Sequence, residues 1–232
     1  MAYYPVFLDI TGRPCLVIGG GKVGVEKVTG LLNAEADVTV IAPDLAPELQ
    51  RWVEEGRVRH VARPYERGDM AGYHIVIVAT DDRSANAEIR AEGRERGIWV
   101  NSADDPANCD FILPAVVRRG PITIGISTGG GSPAMARRVR EELTDYFTED
   151  FEPLAELLAE VRQELKRLGV LAGVSQETWQ QAINGQLRAL LAQRRRGQAK
   201  ALLLSRLGAP VLPNASGSSA DPVPAETTGS AS

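Results

Sequence analysis

The sequence predicts an α/β protein in which a mostly parallel sheet covered by helices comes first and a helical region follows. Three observations carry this. Apolar, β-branched runs alternate with helix-period runs from Cys15 to Asp105, and a glycine-rich turn joins the first such strand to the first such helix. From Phe151 the apolar residues recur at helical spacing alone. The 232 residues are 44% hydrophobic and 24% charged, enough for a real core in one large or two modest domains. A net charge of −4 argues against a surface that grips nucleic acid or an anionic membrane, so any basic site must be local. Cys15 and Cys109 are too few for a disulfide framework and fit a reducing cytosol. No apolar run approaches the roughly 20 residues of a membrane span. "MAYYPVF" lacks the basic-then-apolar layout of a signal peptide, and a cytoplasmic protein is expected.

"YPVFLDITGRPCLVIGG" holds two apolar runs around a Thr11-Gly12-Arg13 turn signal and predicts two short strands, the second ending on the glycines. Val25, Val28, Leu31 and Leu32 then fall at helical spacing, and "ADVTVIAP" reads as a buried strand closed by proline. "VRHVARPY", "HIVIVATDD" and "IWVNSADD" continue as strands, with a helix over "SANAEIRAEGRERG" that Gly97 stops. The pattern then changes. "FILPAVVRRGPITIGIST" is two apolar segments around Arg119-Gly120-Pro121, an antiparallel hairpin, so a second domain begins here. Ser132-Pro133 is a preferred helix start, and Val139, Leu143 and Phe147 form a stripe that faces a core or a partner. Leu154, Leu157, Leu158, Val161, Leu165 and Leu168 share one side of the region that follows, which reads as a small helical domain. The stretch after Gly208 has no lysine, arginine or aromatic residue, is rich in Pro, Ser, Ala and Gly, and reads as a disordered tail.

Gly19, Gly21 and Gly24 form G-x-G-x-x-G directly after a strand and at the start of a helix. Glycine lets the first turn tighten, lets the backbone touch a pyrophosphate, and lets helix and strand pack closely. The phosphates would sit on the positive end of the helix, facing the first helical amides at Lys22 and Val23. A tight turn in any α/β protein is the plainer reading of the motif alone. Val23 after Lys22 rules out a Walker loop, which needs Ser or Thr there to hold magnesium. A dinucleotide site also wants a carboxylate near the end of the second strand for the ribose. That strand ends "VIAPD", so Asp44 is the candidate, displaced past Pro43, with backbone groups around Ala42 and Pro43 sharing the task. No arginine follows to accept a 2′-phosphate, which favours NAD over NADP.

The strand "IWVNS" ends at a Ser-Ala-Asp-Asp-Pro turn on the same carboxyl edge as the glycine turn, where ligands of open α/β sheets bind. Asp104 and Asp105 are therefore candidates to face a substrate, against the competing reading of a cap or Asx-turn before Pro106. Asp82, at the end of "ATDD", reads as a helix cap. The second glycine run, "STGGGSP", would present free amides to an anion, with Ser127, Gly129, Gly130 and Ser132 in the loop and Arg137, Arg138 and Arg140 on the helix behind it. A capped loop and a solvated charged face is the competing reading. Arg118 and Arg119 lie at the hairpin tip. His60 and His74 are the only histidines and belong to no cluster, so no fixed metal site is expected.

In order and at full spacing, "VIGGGKVGVEKV", "VIAPDL", "IVIVATDD" and "VNSADDPANCDFILPAVVRRGPITIGISTGGGSPAMARRVREEL" resemble the precorrin-2 dehydrogenase / sirohydrochlorin ferrochelatase family of sirohaem synthesis. The resemblance runs from about Pro5 to Leu143 and is looser beyond Phe151. It implies a Rossmann-type NAD-binding domain over residues 1–112, a dimerisation domain over 113–150 and a helical domain over 151–208, assembled as a homodimer. No methyltransferase domain follows, so a stand-alone form is expected. It further implies NAD-dependent oxidation of precorrin-2 to sirohydrochlorin, with ferrous iron insertion as a second reaction that need not accompany the first. The family's aspartate of the N-x-x-D turn falls on Asp104, with Asp105 its rival. The substrate's eight carboxylates would give Arg137, Arg138 and the loop after Ser127 something to bind. The alternative from another class is an NAD-sensing regulatory module. That would want an acid at the very end of the second strand and another α/β unit, whereas here "IAP" and a hairpin stand in those places.

Overall fold

The alternation in the first half folds as five parallel strands with helices on both faces. The computed structural model describes residues 3–80, 83–102 and 109–208. Its elements begin β1 (Pro14–Ile18), α1 (Lys22–Leu32), β2 (Asp37–Ile41), α2 (Pro47–Glu54), β3 (Val58–Val61), β4 (Ile75–Val78), α3 (Arg83–Arg96) and β5 (Trp99–Ser102). The sheet order is β3-β2-β1-β4-β5, the order of a Rossmann sheet. The strands end in register: Ile18 pairs with Ile41 on one side and Val78 on the other, and Val78 pairs with Ser102. Their carboxyl ends therefore form one straight edge, and the turns that leave it share a single crevice.

Side chains alternate across the sheet, so each strand feeds two cores. Cys15, Val17, Val38, Val40, Ile75 and Ile77 pack on Val28 and Leu31 of α1 and Leu49 and Trp52 of α2. Leu16, Ile18, Ile41, Val76 and Val78 pack on the other face with Met70, Ile89 and Val100. Burial on both faces explains why these strands read as unbroken apolar runs. The strand expected over Tyr4–Ile10 does not form. β1 has both edges occupied, by β2 and β4, so no ladder is left for a preceding strand, and Tyr4, Val6, Phe7 and Leu8 stay exposed. Helix α2 went unread in the sequence, although Pro47 stands at its start.

After β5 come β6 (Ala115–Arg119) and β7 (Ile122–Ile126), the expected hairpin, in a two-stranded sheet of their own, and then α4 (Pro133–Tyr146). The chain divides into two compact units, Met1–Val116 with Gly125–Glu142 and Val117–Ile124 with Leu143–Ser232. In the second unit α5 (Phe151–Arg167), a short 3-10 turn, α6 (Gln176–Ala182), α7 (Gly185–Ala192) and α8 (Arg196–Arg206) enclose a leucine core around Leu154, Leu157, Val161, Leu165, Leu187 and Leu203. Leu168, counted in that stripe, is exposed because α5 ends at Arg167. Glu160 bridges Arg196 and Lys200 at 2.8 Å each, tying α5 to α8. Arg119 donates to the Phe147 and Thr144 carbonyls (2.7 and 3.1 Å), so one of the two hairpin arginines secures the chain around the end of α4. No helix among the described residues is long and apolar enough to cross a membrane. The stretch read as a disordered tail, 209–232, lies outside the described residues.

Candidate active site

The turn after β1 is shaped by close approach. A Cβ on Gly19 would lie 2.3 Å from the Ala79 carbonyl oxygen, and one on Gly24 would lie 2.4 Å from that of Gly19. Gly19 (φ +120) thus lets β1 turn against the end of β4, and Gly24 lets α1 pack on the turn. Gly20, which the motif leaves free, is as constrained: its Cβ would meet the Asp44 carbonyl oxygen at 2.0 Å. The Ala46 amide donates to the Gly20 carbonyl at 2.8 Å, so the loop after β2 is clamped onto the glycine turn. Gly21 differs from all three, because its Cβ would meet nothing within 4 Å.

Gly21 is also the N-cap of α1, where no side chain caps the helix and no acid stands in the first turn. The first amides, at Lys22 and Val23, are therefore uncapped and face no competing carboxylate, at the positive end of an 11-residue helix. Pro43 and Asp44 are exposed beside this turn. The backbone of Ala42, expected to share ribose recognition, is already engaged: its amide donates to Val61 (3.2 Å) and its carbonyl lies 2.9 Å from His60 Nε2. Of the ribose candidates, Pro43 and Asp44 stay open, and His60 serves the sheet. Among the described residues one buried side-chain atom has no partner, Asn86 Oδ1 on α3, whose Nδ2 donates to the Thr80 carbonyl past the end of β4. Such an acceptor costs about 1–3 kcal/mol until a donor arrives. Open space at Gly21, uncapped amides and an unsatisfied acceptor on one sheet edge fit a dinucleotide.

Beyond β5, Asp104 and Asp105 lie outside the described residues, as does Asp82. The chain on either side of 103–108 is stitched together. Val100 and Asp110 bond twice, the Asn101 amide donates to Phe111, and the Ser102 amide meets Cys109 Sγ at 3.1 Å. Asn101 and Ser102 are buried. Cys15, the other thiol, is sealed in the core, where burial first and Asp37 second push it up to about 11.

A cleft of about 300 Å³ opens here, lined by Lys27, Asn101, Ser102 and Cys109, by apolar Ile112, Leu113, Ile126 and Ala136, and by Ser127, Thr128 and Gly130 of the second glycine run. Several amides of that run are taken up inside the loop itself. Ser127 Oγ accepts from Gly129 N–H (3.0 Å), the Thr128 carbonyl from Gly131, and Thr128 Oγ1 from Ser132, while Ser132 Oγ caps α4 at Met135. Arg137 and Arg138 form exposed pairs with Glu141 and Glu142 along α4 and do not line the cleft. Lys27 does, and sequence reasoning passed over it because a lone lysine on an amphipathic helix carries no signal. No three His, Cys, Asp or Glu side chains among the described residues converge to hold a metal ion.

The chain matches a family model described as putative NAD(P)-binding over residues 6–115 and one described as sirohaem biosynthesis protein, central, over residues 119–146. Siroheme synthase of Methylococcus capsulatus is 36% identical over 204 residues, 88% of this chain and 43% of that protein. Siroheme synthase of Photobacterium profundum is 35% identical over 205 residues, 88% and 44% respectively. The chain thus spans less than half the length of these relatives. A solved structure titled SirC, precorrin-2 dehydrogenase superposes with a TM-score of 0.70 at 29% identity, covering 86% of this chain and 99% of that one.

Proposed function

Because the chain belongs to the precorrin-2 dehydrogenase / sirohydrochlorin ferrochelatase family of sirohaem biosynthesis, we propose that it oxidises precorrin-2 to sirohydrochlorin with NAD as the hydride acceptor. The observation that carries this reading is the single carboxyl edge on which the open glycine turn and the β5 cleft both lie. Bound NAD supplies the two-electron acceptor, and NADH, a proton and sirohydrochlorin are the products. Gly21, Lys22 and Val23 hold the pyrophosphate by backbone amides, Gly19 and Gly24 shape that turn, and Pro43 with Asp44 faces the ribose. The apolar wall of Ile112, Leu113 and Ile126 suits the flat face of a macrocycle. Asp104, just beyond Ser102, is the base that takes the released proton on its carboxylate.

The domain roles implied by the resemblance belong to the same proposal, with 113–150 joining two copies in a cytoplasmic homodimer. Exposed Met135 and Tyr146 on α4 and the half-buried stripe of Val139, Leu143 and Phe147 support that role. Sedimentation of the purified chain tests it. Ferrous iron enters as a substrate if the second reaction is present.

The decisive experiment is anaerobic. Precorrin-2 and NAD are supplied to the protein, and reduced nicotinamide and the macrocycle spectrum are followed together before ferrous iron is added. Both signals rise at matching rates if the reading holds, and protein-dependent acceleration after iron reports the chelatase. NAD binding without reduction of it would reject the substrate. Asp104→Ala should keep NAD binding and lose turnover by about 10²–10⁴-fold. Normal turnover in that variant would pass the role to Asp105 or to no side chain.

A further inference from the structure

We propose that Lys27 anchors the substrate, its ammonium binding one carboxylate on the edge of the macrocycle that enters the β5 cleft. This rests on the precorrin-2 reading above and adds to it a residue that fixes how the macrocycle lies. Lys27 is the one charged side chain among the described residues that line the cleft, where it stands with Ser102, Cys109, Ser127 and Thr128.

Its surroundings call for an anion. The Lys27 side chain is 16% exposed, and its ion-pair partner is Glu26 Oε1 at 3.0 Å, on a side chain that is 76% exposed. Consecutive helix residues do not face each other, so this pair is reached around the helix and largely in water, where it holds little. The stem of Lys27 is covered beside the cleft wall, and its ammonium holds a carboxylate that is itself mostly exposed, a bond that a substrate carboxylate entering the cleft can replace. The substrate carries eight carboxylates on its periphery. A cleft of about 300 Å³ takes one edge of such a molecule and not the whole, so the part that enters brings carboxylate with it.

The anchor also explains why the cation belongs on α1. That helix opens at Gly21, where the pyrophosphate is proposed to sit, and Lys27 follows on the same rigid element. One helix then carries both the proposed pyrophosphate turn and the anchor for the substrate's edge. Arg137 and Arg138, already paired along α4, do not compete for this role.

The test compares Lys27→Gln and Lys27→Arg with the unaltered protein by three readouts: anaerobic turnover of precorrin-2, absorbance titration with sirohydrochlorin, and NAD titration. The glutamine variant should raise KM for precorrin-2 about tenfold or more and weaken sirohydrochlorin binding by a similar factor, with kcat within about threefold and NAD affinity unchanged. The arginine variant should recover most of the loss, since it restores the charge. Unchanged KM and sirohydrochlorin affinity in Lys27→Gln would overturn the proposal. So would a matching fall in NAD affinity, which would assign the lysine to the cofactor. If Lys27→Gln does not fold, Lys27→Met replaces it, and failure of both assigns the residue to the helix, against the proposal. An unaltered protein that binds NAD yet neither oxidises precorrin-2 nor binds sirohydrochlorin would reject the functional reading itself. If it binds sirohydrochlorin without turnover, the reaction alone fails and the variants still judge the anchor.

Discussion

The molecule has two glycine-rich turns that each lead into a helix, and they are built for different work. The turn after β1 leaves α1 uncapped, and the one glycine with room around it, Gly21, stands at the helix start. The turn before α4 closes on itself through Ser127, Thr128 and Ser132, whose hydroxyls take up the amides of Gly129, Ser132 and Met135. Three consecutive glycines stand in both "GGGKVG" and "TGGGSP". What separates them is the neighbouring side chains: without hydroxyls the first amides of α1 are left uncapped, and with them several of the loop's amides are taken up inside it.

Substitutions can break this contrast, beginning with the largest effect. Gly21→Leu should weaken NAD binding on the order of 100-fold, about 2.8 kcal/mol, with the thermal midpoint nearly unchanged, because the new side chain meets ligand space and no protein atom. Unchanged NAD affinity by titration would show that the phosphates lie elsewhere. Gly20→Ala should do the reverse at the adjacent position, costing roughly 2 kcal/mol of stability by forcing the Asp44 carbonyl away. Denaturant unfolding measures this, and a stable variant would mean that the clamp yields easily. In the second turn Ser132→Ala should cost about 1 kcal/mol through the lost cap at Met135 and leave NAD affinity alone. A change in NAD binding there would erase the distinction between the turns.

The smallest effect concerns acid. Arg188 first, then the Thr148 hydroxyl, holds Asp150 below the usual carboxylate range, and Lys200 with Arg196 does the same for Glu160. A carboxyl group whose folded pKa lies below its unfolded one stabilises the fold above the unfolded value, near about pH 4. That contribution is lost as pH falls through the depressed values. The helical unit should therefore loosen as pH falls below about 4, and the first unit with it, since Arg63 holds Asp69 low in the same way, while neither glycine turn depends on such a pair. Thermal unfolding followed across that range, with the Arg188→Ala variant showing a shallower loss, checks it.

How far the sequence reaches can be judged from particular residues. Alternation of apolar runs with helix-period runs declared the parallel sheet, since strands buried on both faces have no polar positions to spare. Gly19, Gly21 and Gly24 declared a tight turn into α1, and the long matching stretch from "VNSADD" to "VREEL" declared the family. The false strand over Tyr4–Ile10 shows the limit: local β pattern cannot know that both edges of β1 are taken. The second glycine run shows another, because hydrogen bonds among Ser127, Thr128 and Ser132 depend on loop geometry that spacing does not encode.

The sequence by itself thus determined the architecture, the tight glycine turn into α1 and the family, all of which rest on local periodicity and contiguous motifs. Only the tertiary structure decided which residues share the β5 cleft. It brought Lys27 of α1 beside Ser102 and Ser127, left Arg137 and Arg138 paired along α4, and gave Gly20 a carbonyl neighbour from the loop after β2. The reason is physical: contacts between segments far apart in the chain are set by how strand ends align and helices pack, and no single segment carries that information.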